Sequence, residues 1–159
     1  MKLREVAEHV QRHALKHPPS DQPIPLAVDG LSIFRQENCT TFEAMLYQPV
    51  VCLILQGSKE SVIGDRTVTY GTGDSLVVSH DVPVVARVTE ASTAKPYLAV
   101  ILELDLGLIR SLDEEIGAVA PEDGGALSLA VSASDDALID AFGRCIALAD
   151  RPLEAAALA

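Results

Sequence analysis

Residues 49–98 read PVVCLILQGSKESVIGDRTVTYGTGDSLVVSHDVPVVARVTEASTAKPYL, and this stretch decides the fold. Short runs rich in Val, Ile, Leu, Thr and Tyr alternate in it with residues that suit turns. The same texture extends on both sides, from Leu31 to Leu104, and predicts strands at 31–35, 41–47, 50–56, 59–63, 66–70, 75–79, 84–89 and 97–104. Gly64-Asp65 lies between two short strands and signals a tight hairpin. Strands this short and this evenly spaced indicate a sandwich or barrel, because closure or double layering removes exposed edges. Strand 50–56, VVCLILQ, is apolar on both faces. It belongs at the centre of a sheet, with one face to the interior and the other under a helix. YLAVILEL, from Tyr97, has the same character.

Outside the strands the apolar period becomes helical. Leu3, Val6, Ala7, Val10, Ala14 and Leu15 recur at helical spacing and predict an amphipathic helix over 2–17. Pro18 and Pro19 end it, and PPSDQPIP is expected as a loop or extended linker. After Asp105, the residues Leu106, Leu108, Ile109, Leu112 and Ile116 predict a helix near 105–117, followed by the loop GAVAPEDGGA. Ser134-Asp135 begins a further helix over 134–150, and Arg151-Pro152 stops it. The tail LEAAALA favours helix with nothing evident to pack against, so the chain is expected to continue into further architecture. The organisation is thus an N-terminal helix (1–19), a β-barrel (20–104) and C-terminal helices (105–159).

At 159 residues and 48% apolar content the chain can bury a core of one domain. Net charge is −11, from twelve basic and twenty-three acidic residues. Such a surface repels phosphate backbones, so these residues are not expected to touch DNA. No apolar run approaches the roughly 20 residues of a spanning helix. The N-terminus lacks the uncharged core of a signal peptide, which places the protein in the cytoplasm. Cys39, Cys52 and Cys145 are too scattered for a disulfide framework or a zinc motif. Cys52 and Cys145 read as buried packing residues.

An ordered set of features in residues 49–98 resembles the N-terminal domain of AraC/XylS-type transcription regulators. It comprises Gln56-Gly57 ending an apolar strand, Lys59, Gly64-Asp65, Tyr70-Gly71-Thr72-Gly73, Leu76, Pro83, Ala91-Ser92 and Pro96-Tyr97-Leu98. More loosely, DDALIDAFGRCIALADRP is similar to the segment before the family's DNA-binding half. The resemblance covers most of residues 20–155. It implies a cupin-like β-barrel of the double-stranded β-helix type, small-molecule sensing, and a homodimer that reaches DNA through a C-terminal helix-turn-helix domain. The residues alone imply a β-barrel with helices.

The competing reading is a cupin enzyme or a stand-alone metabolite-binding module. A catalytic cupin draws its metal ligands from a His-x-His-x-Glu cluster on neighbouring strand positions. This chain contains no His-x-His, the barrel region has only His80, and Leu76 stands where the second cupin motif would carry its histidine. His9, His13 and His17 share one helix face at i, i+4 and i+8, yet lack the glutamate of an HExxH pattern. They read as solvated or core-edge histidines. Adjacent strand residues point to opposite faces, so His80-Asp81 reads as a turn leading to Pro83. Ser58, Ser61, Ser75 and Ser79 lack a nucleophile-elbow context. No catalytic residue, metal or cofactor is therefore expected. An effector pocket would draw on Phe34, Phe42, Tyr47, Gln56, Lys59, His80 and Tyr97, aimed into an apolar barrel mouth. Dimerisation would draw on Leu138, Ile139, Phe142, Cys145 and Ile146 along one face of the last helix.

Overall fold

Two antiparallel sheets face one another, and the chain winds back and forth between them. The computed structural model describes residues 2–18, 20–116 and 129–157. In chain order the elements are α1 (Leu3–Ala14), β1 (Ile24–Pro25), β2 (Leu31–Gln36), β3 (Glu43–Tyr47), β4 (Val50–Gln56), β5 (Ser58–Ile63) and β6 (Arg66–Gly71). There follow β7 (Asp74–Val78), β8 (Val82–Glu90), β9 (Tyr97–Glu103), α2 (Leu106–Ile116), β10 (Leu129–Ala133), α3 (Asp136–Ala149) and α4 (Pro152–Ala156). One sheet has the order β1-β2-β9-β4-β7-β10 and the other β3-β8-β5-β6. From β2 to β9 the chain changes sheet at every connection except the β5–β6 hairpin. This is the winding of a cupin-like double-stranded β-helix. Among the described residues no ladder joins the two sheets, so edges are managed by double layering rather than by a closed ring.

β4 occupies the place its two apolar faces require. It pairs with β7 on one side and β9 on the other. Cys52 and Ile54 point between the sheets, into a core shared with Val78, Val84, Ala86, Val88 and Ala99. Leu53 and Leu55 point the other way, into a second core with Leu31, Ile33, Leu98 and Val100. That outer face is covered by α1, through Val6, Val10 and Ala14, and by α3, through Ile139, Phe142 and Ile146. Asp135 caps α3, accepting from the Leu138 N–H at 2.7 Å. The two helices therefore do for sheet β1-β2-β9-β4-β7-β10 what the second sheet does for its inner face.

Three differences from the sequence reading have plain physical causes. β1 forms in the proline-rich linker, where Ile24 and Pro25 add a short edge beside β2. Proline is tolerated there because an edge strand needs only one side of its backbone paired. β10, LAVSA, pairs with β7 throughout its length although no strand was expected before the last helix. α4 forms over 152–156 with Pro152 in its first turn, where a missing N–H costs no hydrogen bond. The loop expected at GAVAPEDGGA lies outside the described residues. α1 ends at Ala14, so His17 falls beyond the helix that holds His9 and His13.

The crossing from β4 into β5 is the tightest corner of the fold. A bulge at the end of β4 lets Leu55 sit between the pairs Ile54–Ala99 and Gln56–Leu98. Gly57 then turns the chain with φ +83°, and a Cβ built there would lie 2.6 Å from the Glu90 carbonyl oxygen and 2.9 Å from Tyr97 Cα. Gly64 also has positive φ, +60°, as the first residue of the β5–β6 hairpin, but a Cβ there meets nothing. Gly64→Ala should therefore cost about 1–2 kcal/mol, the left-handed backbone penalty alone. Gly57→Ala adds backbone overlap and should cost about 2–5 kcal/mol. Urea unfolding of the two variants tests this ordering, and equal losses would show that contact at the corner contributes nothing.

Candidate functional site

Strand parity determines what the two sheets present to the space between them. On β5, Lys59, Ser61 and Ile63 share the inward face. Lys59 lies directly across from Tyr70 of β6 and Val88 of β8. β8 contributes Val82, Val84, Ala86 and Val88, alternating with outward residues. From the opposite sheet come Phe34, Val50, Cys52, Ile54, Leu76, Tyr97, Ala99 and Ile101. The sheets do not fill this space completely: a cavity of about 660 Å³ remains, lined by most of these residues together with Met45, Tyr47 and Tyr70. That volume lies within the range of about 300–1,000 Å³ usual for small-molecule sites. Its rim reaches the segment 21–32, where Asp21 and Asp29 are exposed, as are Glu43 and Glu103 nearby.

Against the apolar inner part of the lining, away from the polar rim, two polar features converge. The first is a hydroxyl cluster in which Tyr70 and Ser61 are 2.8 Å apart and the Tyr47 hydroxyl lies 3.2 Å from that of Tyr70. The second is the Lys59 ammonium. It lies 5.7 Å from the ring centre of Phe34 and 5.5 Å from that of Tyr47. Among the described residues no carboxylate stands within ion-pair distance of it. Ring faces offer a cation partial compensation, of about 0.5–2 kcal/mol, without neutralising its charge. Lys59 is thus a half-buried cation held against apolar surface with its charge available to a guest. The rim carboxylates, by contrast, are solvated. Burial pushes the Cys52 thiol up to about 12, with Lys59 pulling the other way, so Cys52 acts as an apolar wall rather than a nucleophile.

The structure brings together four of the seven residues the sequence assigned to a pocket: Phe34, Tyr47, Lys59 and Tyr97. Phe34 and Tyr97 meet edge to face at 6.0 Å. The other three lie elsewhere. Phe42, before β3, is exposed and stacks with the Arg87 guanidinium at 4.4 Å. Gln56 sits at the β4–β5 corner, where its amide donates to the Pro96 carbonyl at 2.8 Å. His80 lies exposed in the β7–β8 connection, its Nδ1 2.8 Å from the Ser79 hydroxyl. Tyr70 and Ser61 were missed. The signal was available in Tyr70-Gly71-Thr72-Gly73, but only the β5–β6 register aims the phenol inward. Of the α3 residues assigned to pairing, Ile139, Phe142 and Ile146 are buried in the chain's own core, and Leu138 and Cys145 pack at its margin.

The profile of the family described as AraC-type transcriptional regulator N-terminus matches residues 27–159. No curated protein matches the chain. Among solved structures, the chain is similar to apo ToxT from Vibrio cholerae strain SCE256, with a TM-score of 0.52 at 10% identity over 79% of this chain and 52% of that one. It is similar also to ToxT from Vibrio cholerae O395 bound to (E)-4-(8-methylnaphthalen-1-yl)but-3-enoic acid, with a TM-score of 0.52 at 12% identity over 73% and 46%. A third is ToxT of strain SCE256 bound to an unsaturated fatty acid, with a TM-score of 0.50 at 10% identity over 82% and 48%. At these identities the likeness is one of fold. The chain spans about half the length of these structures.

Burial drives the phenols of Tyr70 and Tyr97 well above the ordinary tyrosine value of 10.0, with neighbouring tyrosines adding to the effect. The folded state then holds protons that the unfolded chain releases, so this contribution to stability is intact below pH 10 and declines as pH rises past it. In an alkaline titration followed by tyrosinate absorbance, two phenols should ionise only together with unfolding. Their ionisation with the fold intact would mean that the cavity wall is open to water.

Proposed function

The chain belongs to the family of AraC-type transcriptional regulator N-termini, and on that premise we propose that it is the effector-sensing and dimerisation part of a DNA-binding regulator. The observation that carries this reading is the cavity between the sheets, with an unneutralised cation in an apolar, phenol-bearing lining. Such a lining suits an amphipathic guest whose body is apolar and whose head is a carboxylate. The carboxylate would pair with Lys59, and the apolar body would contact Phe34, Ile54, Val88 and Tyr97. Acidic ligands bound by ToxT, an unsaturated fatty acid and a butenoic acid, agree with that chemistry. A guest that fits one arrangement of the chain better than another would shift the balance between them.

DNA contact is assigned to a helix-turn-helix domain outside residues 1–159, since a net charge of −11 repels the phosphate backbone. A regulator of this kind acts where the DNA is, in the cytoplasm. The enzyme reading is not favoured, because the cavity lining includes no histidine and its one thiol is held protonated. For the homodimer, the surface best suited is α2 rather than the core face of α3. Leu106, Leu108, Ile109 and Leu112 are all exposed on it, Leu108 to 58%. Burying such a stripe against a second copy removes apolar area from water at about 25 cal/mol per Å².

A monounsaturated long-chain fatty acid and its methyl ester are the probes for the site. The acid should raise the melting temperature and the ester should do so far less. Lys59→Met should weaken the acid by about 10- to 100-fold, the value of a hydrogen bond to a charged group, and leave the ester unchanged. Equal loss for both would mean that Lys59 packs rather than pairs. For assembly, sedimentation of the Leu108→Glu, Leu112→Glu double variant should show monomer where the parent chain is dimeric. A dimer that survives both charges would remove α2 from the interface.

A further inference from the structure

Two histidines of α1 and one aspartate from the far end of the chain meet where α1 packs against the C-terminal end of α3, away from the cavity. His9 Nε2 lies 2.5 Å from Asp150 Oδ2, and His13 Nε2 lies 2.6 Å from Asp150 Oδ1. The residues His9 and Asp150 are 141 positions apart in sequence. The two imidazoles, one helical turn apart, stack with 5.7 Å between ring centres and 15° between planes. Both histidine side chains are largely buried, at 18% and 12% exposure, whereas Asp150 remains 42% exposed. Despite its proximity to the carboxylate, His13 Nε2 lacks a well-formed hydrogen bond. We propose that His9, His13 and Asp150 are a site for one divalent cation of the zinc class, which fastens α1 to the C-terminal end of α3.

Four observations support the proposal. The donor set, two imidazole nitrogens and one carboxylate, is that of a borderline cation such as Zn²⁺, not of Mg²⁺ or Ca²⁺, which take oxygen ligands. The three ligand atoms already lie within 4.8 Å of one another. With bonds of about 2.0–2.2 Å, tetrahedral ligands stand about 3.3 Å apart, so one carboxylate oxygen and the two imidazole nitrogens reach that spacing by changes of no more than about 1.5 Å in their separations. The two histidines are fixed at i, i+4 on a helix anchored by Val6, Val10 and Ala14, and the exposed Asp150 is the partner free to adjust. Finally, Asp150 is the C-cap of a helix with no basic residue in its last turn, where the helix dipole disfavours a carboxylate. A cation held there compensates both the charge and the dipole.

Histidine spacing on α1 alone does not define this site, since the third histidine, His17, lies beyond the end of the helix. The fold supplies the missing ligand from Asp150. A cation bound there would tie the first helix of the chain to the point where α3 gives way to Arg151, Pro152 and α4. Both α1 and α3 cover the outer face of β4, so the tie would hold the lid of the outer core in place.

The test is calorimetric titration of the full 159-residue chain with Zn²⁺, repeated with Co²⁺, whose visible absorption reports an imidazole-containing ligand set. The expected result is one saturable equivalent and a raised melting temperature. Loss of a group that merely supports a metal ligand costs about 10- to 100-fold in affinity, so His13→Ala and Asp150→Asn should each cost no less than about 100-fold. Asp150→Asn keeps the size of an exposed side chain, and an unchanged melting temperature without metal would separate lost binding from lost folding. His17→Gln should bind as the parent does. No saturable uptake, uptake unaffected by Asp150→Asn and His13→Ala, or uptake abolished instead by Cys39→Ser would each overturn the proposal.

Discussion

A strand that is apolar on both faces must be covered twice, and much of this architecture follows from meeting that demand at β4. Water-exposed apolar surface costs about 25 cal/mol per Å², so neither face of VVCLILQ can be left open. The second sheet covers Cys52 and Ile54, while α1 and α3 cover Leu53 and Leu55. Tyr97–Glu103 beside it obeys the same rule, with Ala99 turned inward and Leu98 and Val100 outward. Three layers result from a two-sided strand: four-stranded sheet, six-stranded sheet, helices. The segments before and after the sheets are therefore parts of one structural solution, even though they lie at opposite ends of the chain.

The same constraint explains why the cavity persists. The inner face is closed by strands whose inward residues alternate in size, from Ala86 and Ala99 to Phe34 and Tyr97. Small residues at facing positions leave space that aromatic rings only partly fill. The hydroxyls of Tyr47, Ser61 and Tyr70 satisfy one another, which removes the cost of leaving polar groups against an apolar wall. Lys59 has no such internal partner among the described residues. Its charge is accommodated in part by the ring faces of Phe34 and Tyr47. A chamber that presents one cation without a carboxylate partner among the described residues would select a guest by charge at a single point and by shape elsewhere.

Much of the fold was legible in the sequence because short-range signals dominate it. Gly64-Asp65 places a hairpin, the spacing of Val6, Val10 and Ala14 places a helix, and the apolar run from Val50 demands a central strand, all without long-range information. The site was only partly legible because register decides it. Lys59 points inward while Lys95, the same residue type, lies in a turn, and nothing local to either residue distinguishes them. Gln56 and His80 illustrate the reverse: polar residues at strand ends, suited to a pocket by type, which the corners of the fold direct to the Pro96 carbonyl and to Ser79. Tyr70 was hidden by its own motif. β10 and the meeting of Asp150 with α1 depend on contacts across much of the chain, which no window of sequence contains.

Alternation along β4 has a consequence for how such chains can diverge. Even-numbered positions, Cys52 and Ile54, shape the chamber, whereas odd-numbered ones, Leu53 and Leu55, hold the helices. Neighbouring codons thus answer to different selective pressures. Drift at the even positions would reshape the chamber and the inner core, while the packing of the helices on the outer face stays untouched.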